Sequence, residues 1–250
     1  MKMKTRLLLI AAVLVSCTAL MIWLLATAPS EAELELMKYA EEKDVAYDAY
    51  PESLVTLMEQ NPEAKEFVQN YPFHEGKAVD LSGYDVTQGV PLFLQWDGQW
   101  GYLEYGDDLV AVNGCGPVCL AMTGWYVSGG DPKFSPDKVV SFALKNGYYA
   151  DNNGSKWTLI SEGGPKLGLT VTELPLVEQK VSGYLKNGDP IIAIMGPGDF
   201  TSTGHYIVLT GYSDGKLSVN DPNSRGNSEK LWDYKTFASQ VRNLWVIQKA

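Results

Sequence analysis

The segment VNGCGPVCLAM, at positions 112–122, holds two of the three cysteines in the chain, Cys115 and Cys119. Such a pair could form a disulfide, bind a metal, pack in a core or include a nucleophile. On one helix the two Cβ atoms would lie about 5–6 Å apart, whereas a disulfide requires roughly 3.5–4.5 Å. Zinc takes three or four ligands, and the chain has only two histidines. We therefore expect no disulfide, metal or cofactor here, and Cys119 is predicted to be a small buried residue.

The residues around Cys115 favour a thiol nucleophile. Asn113 is suited to cap a helix, and Pro117 is tolerated only in a first helical turn because it has no N–H to donate. Cys115 is therefore predicted at a helix N-terminus, where free N–H groups and the helix dipole stabilise a thiolate and lower its pKa. Gly114 and Gly116 are expected to leave room for a substrate backbone beside the sulfur.

A thiolate nucleophile needs a base, and His205 is the predicted one. It follows the small-residue loop GPGDFTSTG and begins the apolar segment HYIVLTGY. His74 lies in the segment NYPFHEGK, which reads as a solvated linker before the domain. An imidazole that activates Cys115 is therefore expected to come from His205.

The base needs an orienting group that fixes its tautomer, and Asp221 is the predicted one. A hairpin turn at Ser213-Asp214-Gly215 returns the chain to the end where His205 lies. A symmetrical hairpin sets Asp221 opposite Val208, about 10 Å along the strand from His205. A bulge or a strong local twist must make up the difference, and Asn220 is the alternative orienter.

Gln95 is the predicted donor to the oxyanion that forms on an attacked carbonyl, together with the backbone N–H of Cys115. It lies in VPLFLQWDGQWG, twenty residues before Cys115. A glutamine next to Trp96 is equally consistent with a surface position beside a core aromatic.

The elements that must position these residues fall into two regions. Residues 31–89 are predicted to form an acidic helical stalk and linker, with Asn61 capping a helix that starts at Pro62. From Val90 the pattern is typical of an α+β domain, because helices come first and a hairpin-rich sheet comes last. Helices are predicted near 113–126, 136–146, 158–167 and 178–187, and strands at 190–195, 205–212, 216–221 and 244–249.

The first thirty residues are predicted to lie outside the fold. Basic residues in MKMKTR precede an uncharged apolar run at 7–28, long enough to cross a bilayer. This segment is expected to be an uncleaved anchor, a cleaved signal peptide or a lipoprotein signal with Cys17 as the lipidated residue. In each case the remainder is exported to the outer face of the cell membrane, anchored or secreted.

The charge of the chain argues against a nucleic-acid partner. The net charge is −10, and a protein that binds phosphate backbones needs the opposite sign. Eleven acidic residues against three lysines lie between Glu31 and Glu66. They are expected to form a solvated helical face, and a docking surface for a basic partner is the alternative.

Taken in order, Gln95, Cys115, His205 and Asp221 resemble the site of the C39-like cysteine peptidases of the papain-like superfamily. The resemblance rests on VPLFLQWDGQWG, NGCGPVCLAM, TGHYIVLTGY and VNDPN, and spans about residues 90–222. It implies a papain-like fold in which a helical part carrying the cysteine packs on an antiparallel sheet carrying the histidine and the aspartate. It also implies that these residues serve as oxyanion donor, nucleophile, general base and orienter.

The resemblance leaves several functions open. The first expectation is an exported, membrane-tethered cysteine peptidase that cleaves peptide or isopeptide bonds of a substrate outside the membrane, with residues 90–250 as its peptidase domain. The same thioester chemistry would serve an acyltransferase or a cell-wall amidase. The third possibility is a non-catalytic surface binding protein in which the acidic stalk carries the function. Leader-peptide processing is not expected, because the chain has no Walker motif or transporter core. Nothing in the sequence indicates an oligomeric state.

Overall fold

The computed structural model describes residues 28–151 and 154–250, and these residues divide into two compact units, with the boundary along the chain between Ala49 and Tyr50. Within the described part of the first unit, helix α1 spans Glu31–Glu42. Ser30 and Glu33 form a capping box at its start, in which each side chain accepts a hydrogen bond from the backbone of the other. A 3-10 turn follows at Tyr47–Ala49.

The second unit begins with two short helices, α2 (Glu52–Gln60) and α3 (Lys65–Gln69). Asn61 caps the turn between them by accepting from the N–H of Glu63, as the sequence predicts. The helices pack on the rest of the unit, where the ring of Phe67 stacks on Tyr102 at 4.1 Å. The predicted domain limits, 31–89 and 90–250, remain predictions, and the described contacts join residues from Tyr50 onward to the sheet-containing part.

A central helix organises the remaining helical elements. Helix α5 (Cys115–Ser128) is apolar on all sides, and its residues 116–124 are buried, as expected of a helix surrounded by core. The other elements before the sheet are β1 (Glu104–Tyr105), β2 (Asp108–Leu109), α4 (Val110–Asn113), α6 (Pro136–Lys145), a π-helical turn at Leu159–Gly163 and α7 (Gly164–Lys166).

The C-terminal half forms an antiparallel six-stranded sheet in the order β3-β8-β4-β5-β6-β7. The strands and helices of this half are, in chain order, β3 (Leu169–Glu173), α8 (Glu178–Lys186), β4 (Ile191–Met195), β5 (His205–Ser213), β6 (Lys216–Asn220), α9 (Arg225–Glu229), β7 (Trp232–Asp233), α10 (Tyr234–Ala238) and β8 (Val241–Lys249).

Both faces of the central strands are covered. Ile192 and Ile194 pack in the core that contains α5, whereas Ile191, Ala193 and Met195 pack in a second core with α8 and α10. This alternation is the period of two expected for a strand, and coverage on both faces accounts for the unbroken apolar run of β4.

The structure confirms the α+β class and the predicted strands to within a few residues at their ends. The predicted helix over 113–126 is wrong in one detail: it is two helices, α4 and α5, separated at Gly114. The helix predicted over 158–167 is a π-helical turn followed by the three-residue α7. Strands β3 and β7 were not predicted, and they form the two edges of the six-stranded sheet.

The predicted membrane segment at 7–28 lies, apart from Ala28, outside the described residues. Among the helices of residues 28–151 and 154–250, none is both long and apolar enough to cross a bilayer.

Candidate active site

Cys115 is the first residue of helix α5. Pro117 lies in the first turn, as predicted, where its missing N–H leaves no hydrogen bond unmade. The predicted cap is wrong, because Gly114 occupies the N-cap position and Asn113 ends the preceding helix α4. The amide of Asn113 instead donates to Oδ1 of Asp107 at 3.1 Å.

The glycines beside Cys115 do not open the site to a substrate, and that interpretation is corrected. Gly116 is buried, and a Cβ atom placed on it would lie 2.5 Å from Oγ of Ser155. A Cβ atom on Gly114 would lie 2.5 Å from the side chain of Val110. Both positions therefore require glycine because other parts of the chain pack directly against the start of α5.

The Cys115 thiol interacts with the imidazole of His205. Burial raises the pKa of Cys115, but the hydrogen bond and charge of His205, with the N–H groups of Tyr206 and Gly116, outweigh burial and lower this pKa below its ordinary value. Burial opposes the charge on His205 as well, yet Asp221 and Cys115 raise the pKa of His205 to about 10. The two directions together favour a thiolate–imidazolium pair.

Asp221 contacts the other side of the same imidazole. Nε2 of His205 lies 2.7 Å from Oδ1 of Asp221, and both side chains are buried. Burial raises the pKa of Asp221, but the charge and hydrogen bond of His205 and the donors Asn227 and Asn223 lower it below its ordinary value. Because Nε2 is committed to the carboxylate, Nδ1 is the ring nitrogen left for the sulfur.

The predicted bulge between the two strands of the hairpin is present. Tyr212 and Leu217 follow the symmetrical register, but the register shifts between Leu209 and Gly211, so that Asn220 rather than Asp221 pairs with Val208. The shift brings the backbone of Asp221 one residue nearer to His205, and the side chains cover the remaining separation.

Residues after β6, whose role no sequence motif indicated, hold the Asp221 carboxylate. The N–H of Asn223 donates to Oδ1 at 2.9 Å, and Nδ2 of Asn227 donates to Oδ2 at 2.8 Å. Oγ of Ser228 accepts from the backbone N–H of Asp221 at 2.9 Å. The segment VNDPNSRGNS shows only that polar residues follow the strand, since their contact with Asp221 depends on how the chain turns into α9.

Two residues between α2 and α3 anchor this turn. Glu63 accepts hydrogen bonds from Oγ of Ser224 and from the N–H groups of Arg225 and Gly226, at 2.8–3.1 Å. Nδ2 of Asn61 donates to the carbonyl of Asn223 at 2.5 Å. The turn that carries the donors to Asp221 is therefore held from outside by residues 61–63.

Gln95 forms hydrogen bonds both to the segment before Cys115 and to the segment after Asp221. Its backbone N–H donates to the carbonyl of Pro222 at 2.7 Å, directly after Asp221. Its side-chain Nε2 donates to the carbonyl of Ala111 at 2.7 Å and contacts that of Val112 at 3.3 Å. The side chain is buried, so the alternative of a surface glutamine is wrong.

The remaining candidates lie elsewhere. His74 is exposed and stacks on Tyr102 at 4.2 Å. Asn220 donates to the carbonyl of Val90 at 2.9 Å and is thereby engaged away from the imidazole. Cys119 is fully buried, its pKa is raised by burial, and both Cys115 and Cys119 are free thiols.

A cleft of about 450 Å³ opens beside Cys115. Its lining includes Ser155 and Trp157 together with residues at the ends of strands β4, β5 and β8. A larger hollow of about 660 Å³ lies at Tyr84, Trp125 and neighbouring residues, and its described lining contains neither cysteine nor histidine. Of these two cavities, the smaller one is therefore the one lined by the candidate nucleophile.

Comparison with known proteins supplies the family. The profile of the Peptidase_C39 like family matches residues 87–250. The peptidase domain of Streptococcus ComA, a bi-functional ABC transporter, is 18% identical, covers 55% of this chain and 93% of its own, and superposes with a TM-score of 0.42. A Bacillus anthracis protein described as a C39-like peptidase is 15% identical, covers 66% of this chain and 98% of its own, with a TM-score of 0.44. No curated protein matches the chain.

The family match includes Gln95, Cys115, His205 and Asp221, together with the whole six-stranded sheet. The helices before residue 87 lie outside it, as does the turn at residues 61–63 that anchors the segment after Asp221. The chain belongs to the Peptidase_C39 like family of cysteine peptidases and has its papain-like α+β fold.

Proposed function

We propose that this protein is a cysteine peptidase that hydrolyses peptide or isopeptide bonds through Cys115, His205 and Asp221. The observation that carries the proposal is the continuous chain of interactions from the sulfur through one imidazole to a buried carboxylate. A nucleophile, a base and an orienting group in that order are the parts required for acyl transfer through a covalent intermediate.

In the first half of the reaction the Cys115 thiolate attacks the substrate carbonyl carbon and forms a tetrahedral intermediate with a negatively charged oxygen. The backbone N–H of Cys115 and Nε2 of Gln95 are the proposed donors to that oxygen. The side-chain amide nitrogen of Gln95 has two N–H groups. The one that makes the longer contact, 3.3 Å to the carbonyl of Val112, can leave that carbonyl and donate to the oxyanion instead. The His205 imidazolium then protonates the leaving amine, the C–N bond breaks, and a thioester remains on Cys115.

In the second half neutral His205 takes a proton from water, and the hydroxide attacks the thioester. The C–S bond of the second tetrahedral intermediate breaks, the acid product leaves, and Cys115 returns as a thiolate beside the imidazolium. Asp221 keeps the ring in one orientation and stabilises its charged form in both halves. Its three donors keep the carboxylate in place while the ring gains and loses a proton.

We place this activity outside the cell membrane, with residues 7–28 as the anchor. The support is the sequence pattern of basic residues followed by an uncharged apolar run. Treatment of intact cells with an external protease tests this placement. Degradation of the catalytic unit in intact cells supports it, whereas degradation only after lysis contradicts it.

The activity is tested with the purified protein and a mixture of peptides of known sequence, with products identified by mass spectrometry. Cleavage that disappears in Cys115→Ala and His205→Ala supports the proposal. Cys119→Ala is the matched control, because this buried thiol has no proposed role and should leave cleavage intact. A wild-type protein that cleaves no peptide, or a Cys115→Ala variant that still cleaves, contradicts the proposal.

The same assay separates the alternatives. Added amines intercept the thioester of an acyltransferase and give amide products, and peptidoglycan fragments report a cell-wall amidase. A non-catalytic binding protein gives no product from any of these, and its phenotype in cells survives Cys115→Ala.

A further inference from the structure

Arg242 occupies an irregular position in the sheet beside the site. In the pairing of β4 with β8, Ile194 lies opposite Asn243 and Met195 lies opposite Val241, which leaves Arg242 as the extra residue of a bulge. Bulges next to active sites commonly redirect a side chain. Here the redirected side chain is a guanidinium.

The bulge brings Arg242 close to the base. Met195 pairs with His205 on one side and with Val241 on the other. Neighbouring strands lie about 4.8 Å apart, so two strand spacings put Arg242 on the order of 10 Å from His205. An extended peptide rises about 3.3 Å per residue, and this separation corresponds to about three residues of substrate.

The Arg242 side chain lies across Gly196. A Cβ atom placed on Gly196 would lie 2.3 Å from Nε of Arg242, so any larger residue would displace the guanidinium. Both residues line the cleft that contains Cys115. The absent side chain at position 196 therefore gives the guanidinium its place on the cleft wall.

The side chain of Arg242 is exposed and forms no ion pair or hydrogen bond with the residues at 28–151 and 154–250. Glu173 and Arg242 both line a further cavity, but the two side chains form no ion pair with each other. Among the described residues that line the Cys115 cleft, Arg242 is the one with a permanent charge. In a chain of net charge −10, this unpaired guanidinium in the cleft is available to bind an anionic group of a substrate.

The same cleft also contains an exposed apolar side chain. Trp157 lines the same cleft with 47% of its surface exposed, and it packs edge-on against the buried Trp245 at 5.9 Å between ring centroids. A large exposed aromatic ring held by a buried one offers a rigid apolar surface. The cleft therefore combines one cation with one aromatic face.

We infer that Arg242 binds a carboxylate of the substrate within about three residues of the scissile bond, and that the enzyme selects peptides that carry a carboxylate there. This inference rests on the proposed peptidase function and names its substrate class. The fork of the guanidinium matches a carboxylate through paired N–H donors. The carboxylate comes either from an Asp or Glu side chain or from the C-terminus of the substrate.

The test measures how well peptides protect Cys115 from iodoacetamide, which reports binding whether or not a peptide is cleaved. One set consists of heptapeptides of Ala and Leu, capped at both ends, with a single Glu moved through every position. Matched peptides carry Gln or Lys instead, and one Gln peptide has a free C-terminal carboxylate. Labelling of Cys115 is read by peptide mapping, so Cys17 and Cys119 do not interfere.

In the wild-type protein at least one carboxylate-bearing peptide is expected to protect at about fivefold lower concentration than its Gln counterpart, the range of a partly exposed ion pair. Arg242→Gln should abolish that preference, and Arg242→Glu should transfer it to the Lys peptide. Lys249→Glu is the matched control, since it makes the same change of charge at an exposed residue of the same strand. The register of the protecting Glu, or protection by the free acid alone, identifies the source of the carboxylate.

Equal protection by Glu and Gln peptides in the wild type, or a preference that persists in Arg242→Gln, overturns the inference. Hydrolysis of the same peptides is followed in parallel by mass spectrometry. Cleavage without a carboxylate preference refutes the Arg242 site but supports the proposed peptidase function. A carboxylate preference without cleavage supports the Arg242 site but contradicts the peptidase function. A Cys115 that iodoacetamide does not label in the native protein overturns both.

Discussion

Nε2 of His205 and Oδ1 of Asp221 lie 2.7 Å apart, and the hairpin register pairs Asn220 rather than Asp221 with Val208. The contact exists because β5 contains a bulge and because Asp221 lies at the point where the chain leaves β6. A residue at the end of a strand is free of the alternation that fixes side chains within it. The orientation of the histidine therefore depends on backbone irregularity, which single substitutions can probe.

Asp221→Asn is expected to lower the pKa of His205. The carboxylate charge and hydrogen bond raise this pKa to about 10 against the effect of burial, and asparagine keeps the size but not the charge. A group with a raised pKa keeps its proton up to higher pH, so the variant should lose the imidazolium at lower pH than the wild type. Proton NMR of the ring Cε1–H measures this, with His74→Ala to assign the two histidine signals. An unchanged titration contradicts the prediction.

The reactivity of Cys115 is expected to persist below the pH range of an ordinary thiol. His205 and the N–H groups of Tyr206 and Gly116 lower the pKa of Cys115 against burial, so the thiolate remains as pH falls below about 8.5. The rate of iodoacetamide labelling against pH measures the midpoint. His205→Ala should move that midpoint upward, because burial then acts with less opposition.

Cys119 is the internal control for this labelling. Its thiol is fully buried and its pKa is raised by burial, followed by the charges of Cys115 and Asp221. It should remain unlabelled in the native protein. Equal, slow labelling of Cys115 and Cys119, unaffected by His205→Ala, would contradict an activated thiolate.

Gln95→Ala is expected to reduce peptide hydrolysis without reducing the alkylation of Cys115. Loss of one oxyanion donor costs about 10²–10³ in rate, whereas displacement of iodide at a carbon atom forms no oxyanion on a carbonyl. Alkylation also reports whether the site is still folded, since Nε2 of Gln95 donates to the carbonyl of Ala111 at 2.7 Å. A parallel fall in both rates would indicate a structural role instead.

Glu63→Ala is expected to weaken the turn that positions Asp221. Glu63 accepts three hydrogen bonds from residues 224–226, and loss of a comparable helix cap costs about 0.5–2 kcal/mol of unfolding free energy. The freed turn should also hold Asn227 and Asn223 less firmly against the carboxylate. We therefore expect a lower free energy of unfolding and a lower rate of peptide hydrolysis at saturating substrate.

Two comparisons distinguish positioning by Glu63 from general stability. Glu59→Ala removes the same charge from an exposed residue of α2 and should change neither quantity. Glu63→Gln keeps an acceptor oxygen and should recover part of the loss. If Glu63→Ala acts through Asp221, the pH midpoint of Cys115 labelling also moves at temperatures where the protein is fully folded, and an unmoved midpoint would leave only a stabilising role.

Gly116→Ala is expected to destabilise the protein. The added Cβ atom would lie 2.5 Å from Oγ and 2.6 Å from Cβ of Ser155, and overpacking of this kind costs about 1–3 kcal/mol. Urea unfolding measures the change. Gly183→Ala in α8 is the control, because nothing lies within 4 Å of its added Cβ, and it should be neutral or stabilising by up to about 1 kcal/mol.

The clash at Gly116 has a specific remedy. Ser155→Gly removes both atoms that the new methyl group would meet. The double variant should therefore lose less stability than the sum of the two single variants, as expected for residues in direct contact. Additive losses would contradict the packing explanation.

The sequence by itself determined the α+β class, the main strands and the start of the Cys115 helix. These follow from local rules: apolar runs and alternation define strands, a Gly-containing turn defines a hairpin, and Pro117 is compatible only with a first helical turn. The candidate residues Gln95, Cys115, His205 and Asp221 could be selected because few residue types can serve as nucleophile or base, and the chain has two histidines.

Only the tertiary structure decided how these residues meet. The anchoring by Glu63 joins residues up to 163 positions apart, and no local pattern records such a contact. The bulge in β5 and the donors to Asp221 involve nearer residues, but they depend on how the strands pair and how the chain turns into α9. The same holds for the glycines beside Cys115. The sequence is compatible with an open approach to the sulfur, but Val110 and Ser155 occupy the space next to these glycines. Side-chain identity limits which chemistry is possible, whereas packing between distant segments fixes the distances and charges on which that chemistry depends.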